Sequence, residues 1–123
     1  AGLDQEDRTD AAYRVMRQDS FPSWLFSVKH GATTIWERWD GWTPDGGPHK
    51  DISMNSFNHY AFGSCGEWMF AGIGGISKDP GEAGAGWKHA VVRPRVHESL
   101  KWATAKHRTI RGEIACAWST IPA

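Results

Sequence analysis

Gly31-Ala-Thr-Thr-Ile-Trp-Glu-Arg-Trp-Asp-Gly-Trp42 is the stretch on which the reading of this chain turns. Gly31 is a natural helix stop, because glycine accepts the left-handed conformation that ends many helices. Residues 32–53 then hold Gly41, Pro44, Gly46, Gly47 and Pro48 and read as one long loop. Loops of that length on a helical scaffold tend to carry function. Within it Trp36, Trp39 and Trp42 stand three apart beside Glu37, Arg38 and Asp40. The chain has 8 Trp in 123 residues, so something in it needs large flat surfaces. Indole faces stack on the C–H faces of sugars, and carboxylates accept hydrogen bonds from sugar hydroxyls. Trp68, Trp102 and Trp118 are expected to fill core instead.

Working outward, residues 4–18 read as a polar helix with Ala12, Val15 and Met16 on its apolar stripe. Asp19 and Ser20 offer a cap for a second helix over 22–30, with Pro22 in its first turn and Trp24, Leu25 and Val28 buried. A third helix is expected over 55–73. Phe57, Ala61, Ser64, Trp68 and Met69 would mark one face, and Asn55, His59 and Phe62 another. The Gly-rich span 72–86 reads as a linker. Strands are expected over 87–93, 100–107 and 110–118, the last two as a hairpin, with Gly112 marking a bulge. Leu100, Trp102 and Thr104 would share one side of their strand, and Ile114, Cys116 and Trp118 one side of theirs. Three helices and three strands do not close a layered domain, so more chain or a partner surface is expected to complete them.

Composition narrows the function classes. Lys and Arg number 14, as do Asp and Glu, so the net charge is zero with His neutral. No basic face stands out, which argues against nucleic acid and anionic membrane as partners. No apolar run approaches the roughly 20 residues that span a bilayer, and no secretory leader is visible; the compartment stays open. Cys65 and Cys116 are too few for a disulfide scaffold and lack metal-ligand spacing, so they read as small buried hydrophobes, and neither a metal nor a cofactor is expected.

Two segments carry candidate chemistry. In the first, Arg38 would hold Glu37 ionised, favouring a base or nucleophile over an acid, and Thr33 and Thr34 would donate to the same carboxylate. From charge and spacing alone, Glu37 and Asp40 fit a surface salt-bridge network with Arg38 as well as they fit a catalytic pair. In the second, Met54 to Trp68, residues Asn55, Asn58 and His59 cluster at an expected helix start and suit hydroxyl recognition. Capping by Asn55 and a solvated His59 fit equally.

The strings Trp36-Glu-Arg-Trp-Asp-Gly41 and Asn55-Ser-Phe-Asn-His-Tyr60 resemble bacterial α-L-rhamnosidases of glycoside hydrolase family 78. Asp19-Ser-Phe-Pro-Ser-Trp24 and Gly86-Trp-Lys-His-Ala-Val-Val-Arg-Pro-Arg95 fit the same family in the same order. The resemblance implies an α+β chain: residues 1–75 as the last helices of an (α/α)6 catalytic barrel, 76–86 as a linker, and 87–123 as the opening antiparallel strands of a β-sandwich. It implies inverting hydrolysis of terminal α-L-rhamnose from an oligosaccharide or glycoside. Glu37 matches the general base and His59 a sugar contact, while Trp36, Trp39, Asn55 and Arg38 line the same subsite. Nothing here matches the family's general acid, which lies upstream in its barrel, so the remainder of that barrel is the implied partner. A non-catalytic sugar-binding or scaffold module is the alternative.

Overall fold

Tyr13 and Ile76 are the two fully buried large apolar side chains among the described residues, at 1% and 3% exposure, and each anchors one part of the chain. The computed structural model describes residues 3–121, with side chains from Arg8 onward. The outermost residues of the expected end spans, 1–2 and 122–123, lie outside the described residues. The chain divides into two compact units, Ala1–Ser64 and Cys65–Ala123. No helix among the described residues is long and apolar enough to cross a membrane.

In the first unit, α1 spans Leu3–Arg17 and α2 spans Trp24–Lys29. The buried face of α1 centres on Tyr13, flanked by half-buried Thr9, Ala12 and Met16 at helical spacing. Val15, expected on that face, is 53% exposed because it stands two residues from Tyr13, about 200° round the helix. The cap of α2 is Ser23, whose hydroxyl accepts from Phe26 N–H at 3.0 Å. Asp19 pairs with Lys29 instead of capping, and Pro22, joined to Phe21 by a cis peptide, precedes the helix. Val28, expected buried, is 59% exposed. Gly31 takes a φ of +87°, as its place after a helix end requires. The long loop is not featureless. A two-residue ladder pairs β1 (Trp42–Thr43) with β2 (Gly47–Pro48), and a 3-10 turn covers Ile52–Met54.

The expected helix over 55–73 does not form at its start. Residues 55–60 are irregular, and helical geometry begins with a 3-10 turn at Ala61–Ser64. The backbone of 55–60 bonds elsewhere: Glu37 N–H donates to Ser56 O at 2.9 Å and His59 N–H to Ile35 O at 2.8 Å. These long-range partners take groups that a helix would have paired with itself. Asn55, His59 and Phe62 therefore do not share a helical face.

The second unit opens on α3 (Cys65–Trp68), continued by a π-helical turn at Met69–Ile73. The stretch expected as linker holds a strand. β3 (Ile76–Lys78) pairs antiparallel with β4 (Ala90–Val92), a 3-10 segment covers Glu82–Trp87 within the same stretch, and the strand expected over 87–93 is confined to Ala90–Val92. The expected hairpin is present as β5 (Trp102–Thr109) and β6 (Gly112–Ser119), in register Ala103↔Trp118, Ala105↔Cys116, His107↔Ile114. Ile114, Cys116 and Trp118 do share one half-buried face. Opposite them stand Ala103, Ala105 and His107, so Trp102 and Thr104 point outward, and Trp102 is 63% exposed rather than core. Trp118 is anchored by Nε1–H donating to Ile73 O at 2.8 Å. Gly112 closes the turn at φ +128° and marks no bulge. Both cysteines are free and half-buried.

Gly75 sits at φ +72°, and a Cβ there would meet Pro94 N at 2.4 Å. Gly75→Ala is expected to cost about 1–3 kcal/mol through overpacking and left-handed strain. A urea midpoint lowered at unchanged slope is the readout; an unchanged midpoint would contradict the packing described here.

Candidate active site

The site is built from two loop strands of the first unit laid antiparallel. Residues 35–37 run beside 56–59, joined by the two backbone bonds above and by the Thr34 hydroxyl, which donates to Phe57 O. Ser56 N–H donates to Glu37 Oε2 at 2.8 Å. Glu37 and Ser56 thus exchange two bonds, one main chain to main chain and one main chain to side chain. The second fixes where the carboxylate points.

Arg38 does not hold Glu37. Its guanidinium makes a two-pronged contact with Asp40, Nε to Oδ1 at 3.0 Å and Nη2 to Oδ2 at 3.3 Å. Residues 38–41 form a turn, closed by Gly41 N–H donating to Arg38 O at 3.3 Å, and within it the Arg38 and Asp40 side chains meet. Nor does Thr34 reach the carboxylate, because its hydroxyl is taken by Phe57 O. His49 Nε2 lies 3.6 Å from Asp40 Oδ2, and Asp51 N–H donates to His49 Nδ1 at 3.0 Å. Arg38, Asp40, His49 and Asp51 form one polar chain beside the glutamate.

The three tryptophans separate. Trp36 meets Phe57 edge to face, with centroids 5.2 Å apart. Trp39 stacks on Phe62 at 4.1 Å and meets Trp24 edge on at 5.2 Å, while Trp24 Nε1–H donates to Phe62 O at 3.0 Å. Trp42 packs against His30 at 5.5 Å. Trp24, Trp36, Arg38, Trp39 and Phe62 line a cavity of about 50 Å³. Glu37 is not among its walls.

His59 sits at the end of the second strand. Ala61 N–H donates to its Nδ1 at 3.3 Å, which leaves the proton of the neutral ring on Nε2. Its ring stacks parallel on Tyr60 at 5.3 Å, and Tyr60 is 87% exposed. Asn55 Nδ2 donates to Gly41 O at 3.0 Å. The structure therefore brings Glu37 and His59 onto paired strands, links Asn55 to the loop at Gly41, and turns Arg38 toward Asp40. Ser56 is not singled out by the sequence, and Phe57 and Phe62 are expected only as face residues of a helix. Ser56 acts through backbone groups that nearly every residue carries, Phe57 through its carbonyl and its ring, and only the apolar character of Phe57 and Phe62 hinted at their ring contacts. Among the described residues, no group of three or more His, Cys, Asp or Glu is placed to hold a metal.

The family model for the bacterial alpha-L-rhamnosidase 6 hairpin glycosidase domain matches residues 2–73, and that for the bacterial alpha-L-rhamnosidase C-terminal domain matches 75–121. An α-L-rhamnosidase of Streptomyces avermitilis is 46% identical over 116 residues, 94% of this chain and 11% of the relative. One of Formosa agariphila is 39% identical over 94% of this chain and 12% of its own length. The crystal structure of the Streptomyces avermitilis α-L-rhamnosidase complexed with L-rhamnose superposes with a TM-score of 0.84 at 42% identity, over 97% of this chain and 11% of that one. Native α-L-rhamnosidase from Aspergillus terreus gives 0.84 at 38% identity, over 95% of this chain and 13% of that one. The chain spans about a tenth of the length of the curated relatives it matches.

The hydrogen bond from Arg38 holds the Asp40 carboxyl below the usual carboxylate range, with the charges of Arg38 and His49 adding to it. A carboxyl depressed in the folded state stabilises it above the unfolded value of about 3.9, and that stabilisation is lost as pH falls through the folded value. Asp40→Asn is therefore expected to narrow the gap between denaturation midpoints measured at about pH 6 and about pH 3. An unchanged gap would show that the pair contributes nothing to acid lability.

Proposed function

The chain belongs to the bacterial α-L-rhamnosidase family, and from that premise we propose that it supplies the general-base half of a glycosidase site that removes terminal α-L-rhamnose with inversion. The observation that carries the reading is the reciprocal Glu37–Ser56 pairing, which aims one carboxylate oxygen with a backbone amide while Arg38 is committed to Asp40. A general base must take a proton from water along a fixed direction. A backbone amide sets such a direction without placing a cation against the carboxylate. His59, with its free Nε2–H, donates to a hydroxyl of the bound sugar. Trp36 and Trp39 flank the glutamate and present apolar surface, and Arg38 and Asn55 shape the loop around it. L-rhamnose is the sugar named with the Streptomyces relative, and a rhamnose-containing oligosaccharide or glycoside is the substrate class in this reading.

Inversion requires a second carboxyl roughly 6.5–9.5 Å from the first, with water between them. We assign that acid to the remainder of an (α/α)6 barrel, the partner of this segment. In the same reading residues 1–75 belong to the barrel, 76–86 connect, and 87–123 open a β-sandwich, with β3 of the connecting span paired to β4.

A chimera tests the proposal: this sequence replaces the segment it matches in the Streptomyces avermitilis α-L-rhamnosidase. The chimera is expected to hydrolyse an aryl α-L-rhamnoside, and Glu37→Gln within it to lower kcat by about 10²–10⁴. An inactive chimera, or one whose kcat survives the substitution, would remove Glu37 as the base.

A further inference from the structure

Among the described residues, Asn55 Oδ1 is a buried side-chain oxygen with no hydrogen-bond partner. Leaving an amide oxygen buried and unpaired costs free energy, so other contacts must hold this side chain in place. Its Nδ2 donates to Gly41 O at 3.0 Å, and a Cβ built on Gly41 would stand 2.7 Å from Oδ1. The amide is thus hydrogen-bonded to Gly41 and packed close over its bare Cα. The very next residue, Ser56, exchanges two bonds with Glu37. Residues 37–41 on one side and 55–56 on the other therefore form a closed ring, with the Asn55–Gly41 contact on one edge and the Ser56–Glu37 contact on the other. Gly41 O also accepts from His49 N–H at 2.9 Å, and Gly41 N–H donates to Arg38 O at 3.3 Å, so the gripped residue is itself held.

We propose that Asn55 is a positioning residue for Glu37: by gripping Gly41 it places the Ser56 amide that orients the carboxylate. The amide of Asn55 serves the loop and not the sugar. Its catalytic meaning rests on the reading of Glu37 as the base, whereas the coupling itself does not. Glycine at 41 belongs to the same device, since any side chain there would displace Oδ1. Of the charged groups nearby, Arg38, Asp40 and His49 are paired among themselves along the same loop, and the Asp51 carboxylate accepts from Ser53.

The test is an NMR pH titration of the full 123-residue chain that follows the Ser56 amide proton. A hydrogen bond to a carboxylate strengthens when the carboxylate ionises, so this proton is expected to shift as Glu37 titrates. Glu37→Gln, which removes that titration, identifies the shift. Asn55→Ala is expected to lose the titrating shift at Ser56 while the His59 amide, bonded to Ile35 O, keeps its exchange protection. Gly41→Ala is expected to do the same from the other side of the contact. Persistence of the shift in both folded variants would overturn the proposal. So would unfolding of both, which would make the contact a stability element. If only one variant folds, that variant decides by the same criterion. The titration is read without activity, so loss of the shift beside an inactive chimera would keep the positioning role and discard the base.

Discussion

Everything in the candidate site depends on two loop segments satisfying each other's backbone. Residues 35–37 and 56–59 belong to no regular sheet, yet their N–H and C=O groups pair between segments far apart in sequence. Such pairing is a requirement more than a bonus, because half-buried backbone groups without partners are costly. Once Glu37 N–H has found Ser56 O, the Ser56 N–H faces the glutamate side chain, and the carboxylate follows. His59 enters by the same logic, carried in by the bond of its own N–H to Ile35 O.

A second layer of constraint is aromatic. Trp39 is fixed by a stacked face on Phe62 and an edge contact from Trp24, and Trp24 is tied by its indole N–H to the carbonyl of that same Phe62. Aromatic pairs of these geometries contribute beyond their buried area. They stiffen one end of the loop, while the Arg38–Asp40–His49 chain is half-buried beside them, where partly solvated pairs contribute modestly to stability. The glutamate carboxylate takes the Ser56 amide while the guanidinium takes Asp40. Those partners explain how a single residue in a run of charged and aromatic neighbours avoids pairing with the arginine next to it.

Much of this was legible from residues. The helices at the start of the chain, the glycine that ends the second and the terminal hairpin with Ile114, Cys116 and Trp118 on one side all follow from periodicity and turn chemistry. The family followed from two specific strings around Glu37 and His59. Periodicity misled where local and long-range partners competed. Residues 55–60 have spacing compatible with a helix, but their backbone groups pair with the preceding loop. Ile76–Lys78 lies in a Gly-rich run that reads as linker, but three residues suffice for a strand once Ala90–Val92 comes alongside. Trp102 looked like core by composition, and register placed it on the open face.

Residue identity alone determined the kind of protein: which side chains could do chemistry, where glycine had to stand, and which family shares those strings. Tertiary structure alone decided the partners, turning Arg38 to Asp40, Glu37 to a serine amide and Asn55 to the carbonyl of Gly41. The reason is physical. Side-chain chemistry is written in the sequence, but a backbone N–H is the same on nearly every residue, and which one reaches a carboxylate depends on how distant segments meet.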